Sequence, residues 1–276
     1  MSARTSLAAL NAAPPGLFAA FAADLFAGAA WVGERAAAAR PFATLAALHE
    51  GLMAAATAAA PAERRALIGG FPDVAAEAAG LTDEEAAALA RSAAAYRARH
   101  GFPCLICTAR HGPEAILAAV AARLAGPPEA EEAAALREIG HITRLRLLDR
   151  VEGPGAPPAA GRLSTHVLDT HAGRPAAGVA LRLFALDRAG RRLLEARTTN
   201  PDGRTDAPLL HGAPLRTGRY EIEFDLGPYF RARVDAGIAT LFLDTVPVRF
   251  GIDEPEGHYH VALIATPWSY TVYRGS

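Results

Sequence analysis

Hydrophobic positions repeat with one period in the first half of this chain and another in the second. Up to about Val151, apolar residues recur three and four apart: Leu10, Phe18, Phe21, Leu25 and Phe26 form one series, Leu45, Leu48, Leu52 and Met53 another. That spacing collects side chains on one stripe of an α-helix. Pro41, Pro61, Pro72 and Pro103 punctuate the half, as expected where helices start and break. An all-α helical bundle is predicted. From Arg162 the texture becomes that of strands. Tyr220-Glu221-Ile222-Glu223-Phe224 alternates, Val179–Phe184 and His258–Ile264 are short strand-like runs, and Pro267–Val272 carries the chain onward as a further extended segment. Turn signals such as Pro201-Asp202-Gly203 separate these runs, and the series predicts a β-sandwich. Between the halves, the Pro/Gly/Ala stretch 153–161 sustains neither period. The expected organisation is a multidomain α and β chain: a helical domain over 1–152, a linker over 153–161 and a β domain over 162–276.

Composition narrows the function classes. With 276 residues, each half is long enough to bury its own core. The formal net charge of −1 offers no electrostatic footprint for nucleic acid or an anionic membrane surface. Two cysteines do not frame a disulfide scaffold, so a reducing, cytoplasmic setting is expected. The stretch from Thr5 to Ala23 is uncharged, but Pro14 and Pro15 interrupt it and it is rich in Ala rather than Leu. It reads as a first helix with its lead-in and not as a signal peptide. No run is long and apolar enough to span a bilayer.

The candidate chemistry is concentrated in the second half. On a strand, His258 and His260 project to the same face, where two imidazoles can hold or activate water, or bind a metal. No third ligand stands nearby at a characteristic metal spacing, and no cofactor is expected. His166 on an apolar strand and Arg204 in a Gly-containing turn are further candidates. Taken singly, a strand histidine is commonly just a core or edge residue, and a turn arginine a solvated charge. In the first half, His100, Cys104, Cys107 and His111 combine C-x-x-C with flanking histidines, which suits either zinc or ordinary buried thiols.

Four strings turn these candidates into a pattern: LSTHVLDTHAGRPAAGV from Leu163, TNPDGRTDAPLL from Thr199, VPVRFGI from Val246, and HYHVALI with YTVYRGS at the end. In order and content they resemble the 5-hydroxyisourate hydrolases, the transthyretin-related enzymes of urate breakdown, whose usual closing strings are HYHVPLL and YSTYRGS. The resemblance implies a transthyretin-like sandwich, catalytic roles for His166, Arg204 and His260, and a substrate-binding tail of Tyr273, Arg274, Gly275 and Ser276. It also implies a homotetramer built through this domain. The implied reaction is water attack on a ring amide carbonyl of 5-hydroxyisourate, giving 2-oxo-4-hydroxy-4-carboxy-5-ureidoimidazoline (OHCU). Neutral imidazole suits the proton transfers, and the arginine fork suits the oxyanion. Ala262 replaces the usual Pro and Val272 the usual Thr, both beside functional positions. The competing class for such a fold is a binding module, as in hormone-carrying transthyretin.

SLAALNAA from Ser6, WVGERAAAARPFATLAALH from Trp31, AYRARHGFPCLIC from Ala95 and EIGHITRLRLLDRV from Glu138 make the first half similar to OHCU decarboxylases. The family's HPDL is here Phe71-Pro72-Asp73-Val74, and the segment carrying its Ser-x-x-Glu-Gln group is missing between Val74 and Leu81. Pro72, the Gly101-Phe102-Pro103 loop and Arg146 remain of that site. Phenylalanine neither exchanges protons nor hydrogen-bonds a carboxylate, so loss of decarboxylation is the expectation. The alternatives left open are a bifunctional hydrolase and decarboxylase producing allantoin, and a scaffold that recruits another enzyme of the pathway.

Overall fold

The computed structural model describes residues 4–233 and 240–275. The chain divides into two compact units, one made of residues up to Thr108 with Ile116–Ala159, the other of Ala109–Ala115 with the chain from Ala160 onward.

The first unit is built from α1 (Leu7–Ala12), α2 (Pro15–Leu25), α3 (Ala30–Ala36), α4 (Leu45–Thr57), α5 (Pro61–Gly69), α6 (Val74–Glu77), α7 (Asp83–His100), the greater part of α8 (Pro113–Ala125) and α9 (Pro128–Arg150). Local chemistry explains the boundaries. Proline opens α2, α5, α8 and α9, at the position where its missing N–H costs nothing. Side chains of Ser6, Thr44, Asp73 and Thr82 accept the unpaired N–H groups at the starts of α1, α4, α6 and α7. Gly101, with φ of 79°, ends α7 in the left-handed conformation. The apolar series of the sequence meet in one core, with Phe18, Leu25, Phe26, Leu48 and Leu52 all buried. Two short strands, β1 (Thr5–Ser6) and β2 (Val151–Glu152), pair in parallel and tie the start of the bundle to the end of α9. The carbonyls of Pro154 and Gly155 accept the N–H groups of Leu45 and Ala46 at the start of α4, so this part of the Pro/Gly/Ala stretch is laid against the bundle.

The second unit is a sandwich. Its strands are β3 (Arg162–Asp169), β4 (Arg174–Pro175), β5 (Ala180–Asp187), β6 (Gly190–Thr198), β7 (Gly218–Asp225), β8 (Thr245–Ile252), β9 (His258–Ala265) and β10 (Tyr270–Gly275). One sheet runs β10-β9-β3-β4 and the other β6-β5-β7-β8. Alternate residues of both fill the space between them: Leu163, Val167 and Leu263 from the first, Leu181, Ile222, Phe224 and Val246 from the second. The remaining residues of each strand face outward. Period-two reading missed one element here, the helix α10 (Leu226–Arg231). Its buried Leu226, Tyr229 and Phe230 are spaced three and four apart, and the Tyr229 hydroxyl donates to the buried Asp169 carboxylate at 2.9 Å.

Candidate active site

Strand register assembles the site. β3 and β9 run parallel with Ser164 opposite His260 and His166 opposite Ala262. β9 and β10 run antiparallel with Gly275 opposite His260 and Tyr273 opposite Ala262. Paired residues share a face and neighbours along a strand do not. Ser164, His166, His258, His260, Tyr273 and Gly275 therefore lie together on the outward face, the inward one being occupied by Leu163, Val167, Val261 and Leu263. Tyr273 is 48% exposed there. A Cβ added at Gly275 would stand 2.5 Å from Cδ2 of His260, so only glycine lets the end of β10 lie against that ring.

Arg204 reaches the same place through a turn. Asn200 Oδ1 accepts from the N–H groups of Asp202 and Arg204, each at 3.1 Å, and the Asn200 N–H donates to the Arg204 carbonyl at 2.7 Å. Gly203, at φ +69°, passes so close to Val167 that a Cβ would collide with the Val167 carbonyl oxygen. The Val167 N–H donates to the Gly203 carbonyl at 2.8 Å, and Arg204 forms a β-bridge with His166. Pro201-Asp202-Gly203, read from the sequence as a turn signal, thus fastens Arg204 beside β3.

The electrostatics favour neutral imidazoles. Burial, followed by the positive charge of Arg204, holds the His166 pKa below the ordinary histidine value. His260 is lowered by burial first, then by Arg204, His166, His258 and Arg162. Both rings are uncharged at neutral pH and able to take a proton. His166 Nε2 is buried with no hydrogen-bond partner among the described residues, an arrangement that proteins generally avoid outside functional sites.

Sequence reading missed Ser164. Its hydroxyl lies 2.9 Å from His260 Nδ1 and 3.2 Å from His258 Nε2. Its position two residues before His166 was the available signal, since strand alternation puts both on one face. Arg274, grouped with the tail in the sequence, lies on the opposite face from His260, its guanidinium 4.3 Å above the Tyr259 ring. Ser276 lies outside the described residues.

In the first unit Phe71 is buried and Arg146 is beside it, the guanidinium 5.3 Å from the ring centre. Arg146 also donates to the Leu25 carbonyl at the end of α2, at 2.9 Å. Pro72 is exposed, and Asp73 caps α6 while accepting the Cys104 N–H at 3.3 Å. Burial pushes the Cys104 thiol up to about 12, which makes it a small hydrophobe rather than a nucleophile. Among the described residues no three His, Cys, Asp or Glu side chains are grouped to hold a metal ion.

Comparison with known proteins follows the same division. Residues 163–275 match the HIUase/Transthyretin family and residues 11–148 match the OHCU decarboxylase family. The chain belongs to both families. Its HIUase part is 48% identical over 120 residues to 5-hydroxyisourate hydrolase 2 of Rhizobium meliloti, spanning 42% of this chain and 98% of that protein. It is 50% identical over 116 residues to the 5-hydroxyisourate hydrolase of Mesorhizobium japonicum, spanning 42% of this chain and 93% of that protein. A solved structure of an (S)-allantoin synthase is similar to both parts at once, at 32% identity with a TM-score of 0.54, covering 99% of this chain and 100% of that one. The fold expected from the sequence, helical OHCU decarboxylase-like and then transthyretin-like, is the fold observed.

Proposed function

We propose that the HIUase unit opens 5-hydroxyisourate by hydrolysis at a ring carbonyl amide, giving OHCU. The observation that carries this reading is the grouping of His166, Arg204 and His260 on one sheet face, with a buried, unpartnered nitrogen on His166. In this reading a neutral imidazole takes a proton from the attacking water, and Arg204 faces the oxyanion that forms at the carbonyl. Tyr273 and Gly275 line the substrate's side of the site, and Ser276 follows them. Arg274 acts from the reverse side of the strand by fixing it. The site takes a small molecule and uses no metal or cofactor, and we place the enzyme in the cytoplasm as a homotetramer. Tyr270 and Tyr273 on the edge strand β10 and Trp268 in the bend before it, exposed at 45%, 48% and 55%, support the assembly. No helix among the described residues is long and apolar enough to cross a membrane.

For the OHCU decarboxylase unit we infer that decarboxylation has been lost. A buried phenylalanine supplies no proton, and Arg146 is engaged by the Phe71 ring and a backbone carbonyl. The likeness of the whole chain to an (S)-allantoin synthase favours a second reading, a bifunctional enzyme that carries the product of the first reaction on to allantoin. Freshly generated 5-hydroxyisourate, supplied to the protein while its decay and the fate of the next intermediate are followed, tests both. Unaccelerated decay overturns the hydrolase assignment, and enzyme-dependent consumption of OHCU selects the second reading.

A further inference from the structure

Ser164 stands between two imidazoles, and it has one proton to give. Its hydroxyl is within hydrogen-bond distance of His260 Nδ1 and His258 Nε2, and the residue is only 8% exposed. A hydroxyl that donates to one ring must accept from the other, so the triad has two senses. In the first, His260 Nδ1–H donates to Ser164 and Ser164 donates to His258 Nε2. His260 then carries a bare Nε2, the form that accepts a proton from water. In the second, His258 Nε2–H donates to Ser164 and Ser164 donates to His260 Nδ1. His260 then carries its proton on Nε2 and offers a donor instead.

The two histidines differ in surroundings. His258 is exposed to solvent, whereas His260 is half-buried, with Ser164 at Nδ1 and Gly275 against Cδ2. The charged and titratable groups around His260 are Arg162 and His166 from β3, His258 from its own strand β9, and Arg204 from the 200–204 turn, all of which disfavour a charge on it. Asp202 of that turn acts on His166. β10 contributes Tyr273 and Gly275 to this face, with Arg274 on the other. Positive charge in the triad is therefore better placed on His258. An imidazolium has N–H on both nitrogens, so a charged His258 has no lone pair for Ser164 and only the second sense is open to it.

We propose that His258, acting through Ser164, is a positioning switch that sets whether His260 presents a base or a donor to the site. The proposal rests on the reading of His260 as a proton acceptor in hydrolysis. Its proton balance closes. As pH falls, one solvent proton enters at His260 Nε2, the Nδ1 proton passes to Ser164, and the Ser164 proton passes to His258 Nε2. The charge comes to rest on His258, and His260 stays neutral in the donor form.

The test pairs the pH profile of kcat/KM with nitrogen-15 NMR of the histidine rings in the whole protein, comparing wild type with His258→Ala, Ser164→Ala and Ser164→Thr. In wild type, His260 should change from the Nδ1–H to the Nε2–H tautomer, without becoming charged, over the same pH interval in which kcat/KM falls on the acid side. In His258→Ala the tautomer change should vanish, and the acid limb should move to lower pH, to where His260 itself is protonated. Ser164→Ala should uncouple the two rings and lower kcat about tenfold, while Ser164→Thr, which keeps the hydroxyl, restores the coupling. An acid limb and a His260 tautomer change that are the same in wild type, His258→Ala and Ser164→Ala would overturn the switch. Full turnover in His260→Ala would instead overturn the hydrolytic role of His260, and the NMR comparison, which needs no activity, would still report on the triad.

Discussion

At the scale of single residues, catalysis is assigned to two neutral rings and one fixed cation. His166→Ala and His260→Ala should each lower the rate of 5-hydroxyisourate loss by about two orders of magnitude or more, the size of a lost general acid–base group. Progress curves at matched circular dichroism are the check, and wild-type turnover in both variants would dismiss the assignment. Arg204→Lys should cost about 10- to 1000-fold, because a point charge does not reproduce the planar fork of donors. Position 204 is held through its own backbone, its N–H donating to Asn200 Oδ1 and its carbonyl accepting from the Asn200 N–H, so lysine there should leave folding intact and change turnover alone. If lysine serves equally well, Arg204 is only a turn residue.

Elements carry the next level of consequence. The end of β10 approaches β9 only because position 275 has no side chain. Gly275→Ala should push the His260 ring aside and reduce hydrolysis about tenfold or more, while the melting temperature of this unit, whose core lies on the other face, moves little. A large loss of stability with unchanged specific activity would contradict that placement. In the helical unit, His49 of α4 meets Thr143 of α9 at 3.1 Å, and burial lowers its pKa to about 4 from 6.5. The unfolded chain takes up this proton near pH 6.5 and the folded one refuses it until about pH 4, so stability falls as pH drops through that window. The loss is on the order of 3 kcal/mol. Denaturant titrations at pH 7 and near pH 4 should show a smaller loss for His49→Gln than for wild type, and equal losses would remove His49 as the cause. Legibility in the sequence followed locality. Helix stripes, strand alternation and the Asp202-Gly203 turn depend on neighbours in the chain and were readable. The motif resemblance supplied His166, Arg204 and His260. The pairing of β3 with β9 joins segments far apart in sequence, so the bridge from Ser164 to both histidines and the reversed side of Arg274 emerged only from register. Helix α10 was hidden because its few apolar residues sit within a stretch of strand-like runs.

At the scale of the whole molecule, two families share one chain, and the open matter is whether both units work. With Phe71 buried in place of the expected histidine, no decarboxylation above background is expected, and chirally resolved allantoin is the readout. An enzyme-dependent excess of one enantiomer would show the helical unit to be active. Phe71→His alone should not restore activity, because by the resemblance the family's Ser-x-x-Glu-Gln group has no counterpart between Val74 and Leu81. The β unit has its own route to failure without unfolding. β10 is an edge strand buried chiefly at Val272, which is itself only half-covered, so burial weakly resists a shift of one residue along β9. Such a shift would bring Val272 and Arg274 to the histidine face and carry Tyr273 and Gly275 away from it. Mass and helix content would be unchanged and the core would lose only the half-covered Val272, so bulk measurements would report a sound protein that does nothing. Arg274 guards against this. Its guanidinium rests on the ring of Tyr259, whose hydroxyl is held by Asp253 and the Glu254 N–H, and that seat exists in one alignment of the strands only. If Arg274→Ala proves inactive while the unit stays folded, the lost latch on the reading frame of the sheet accounts for it.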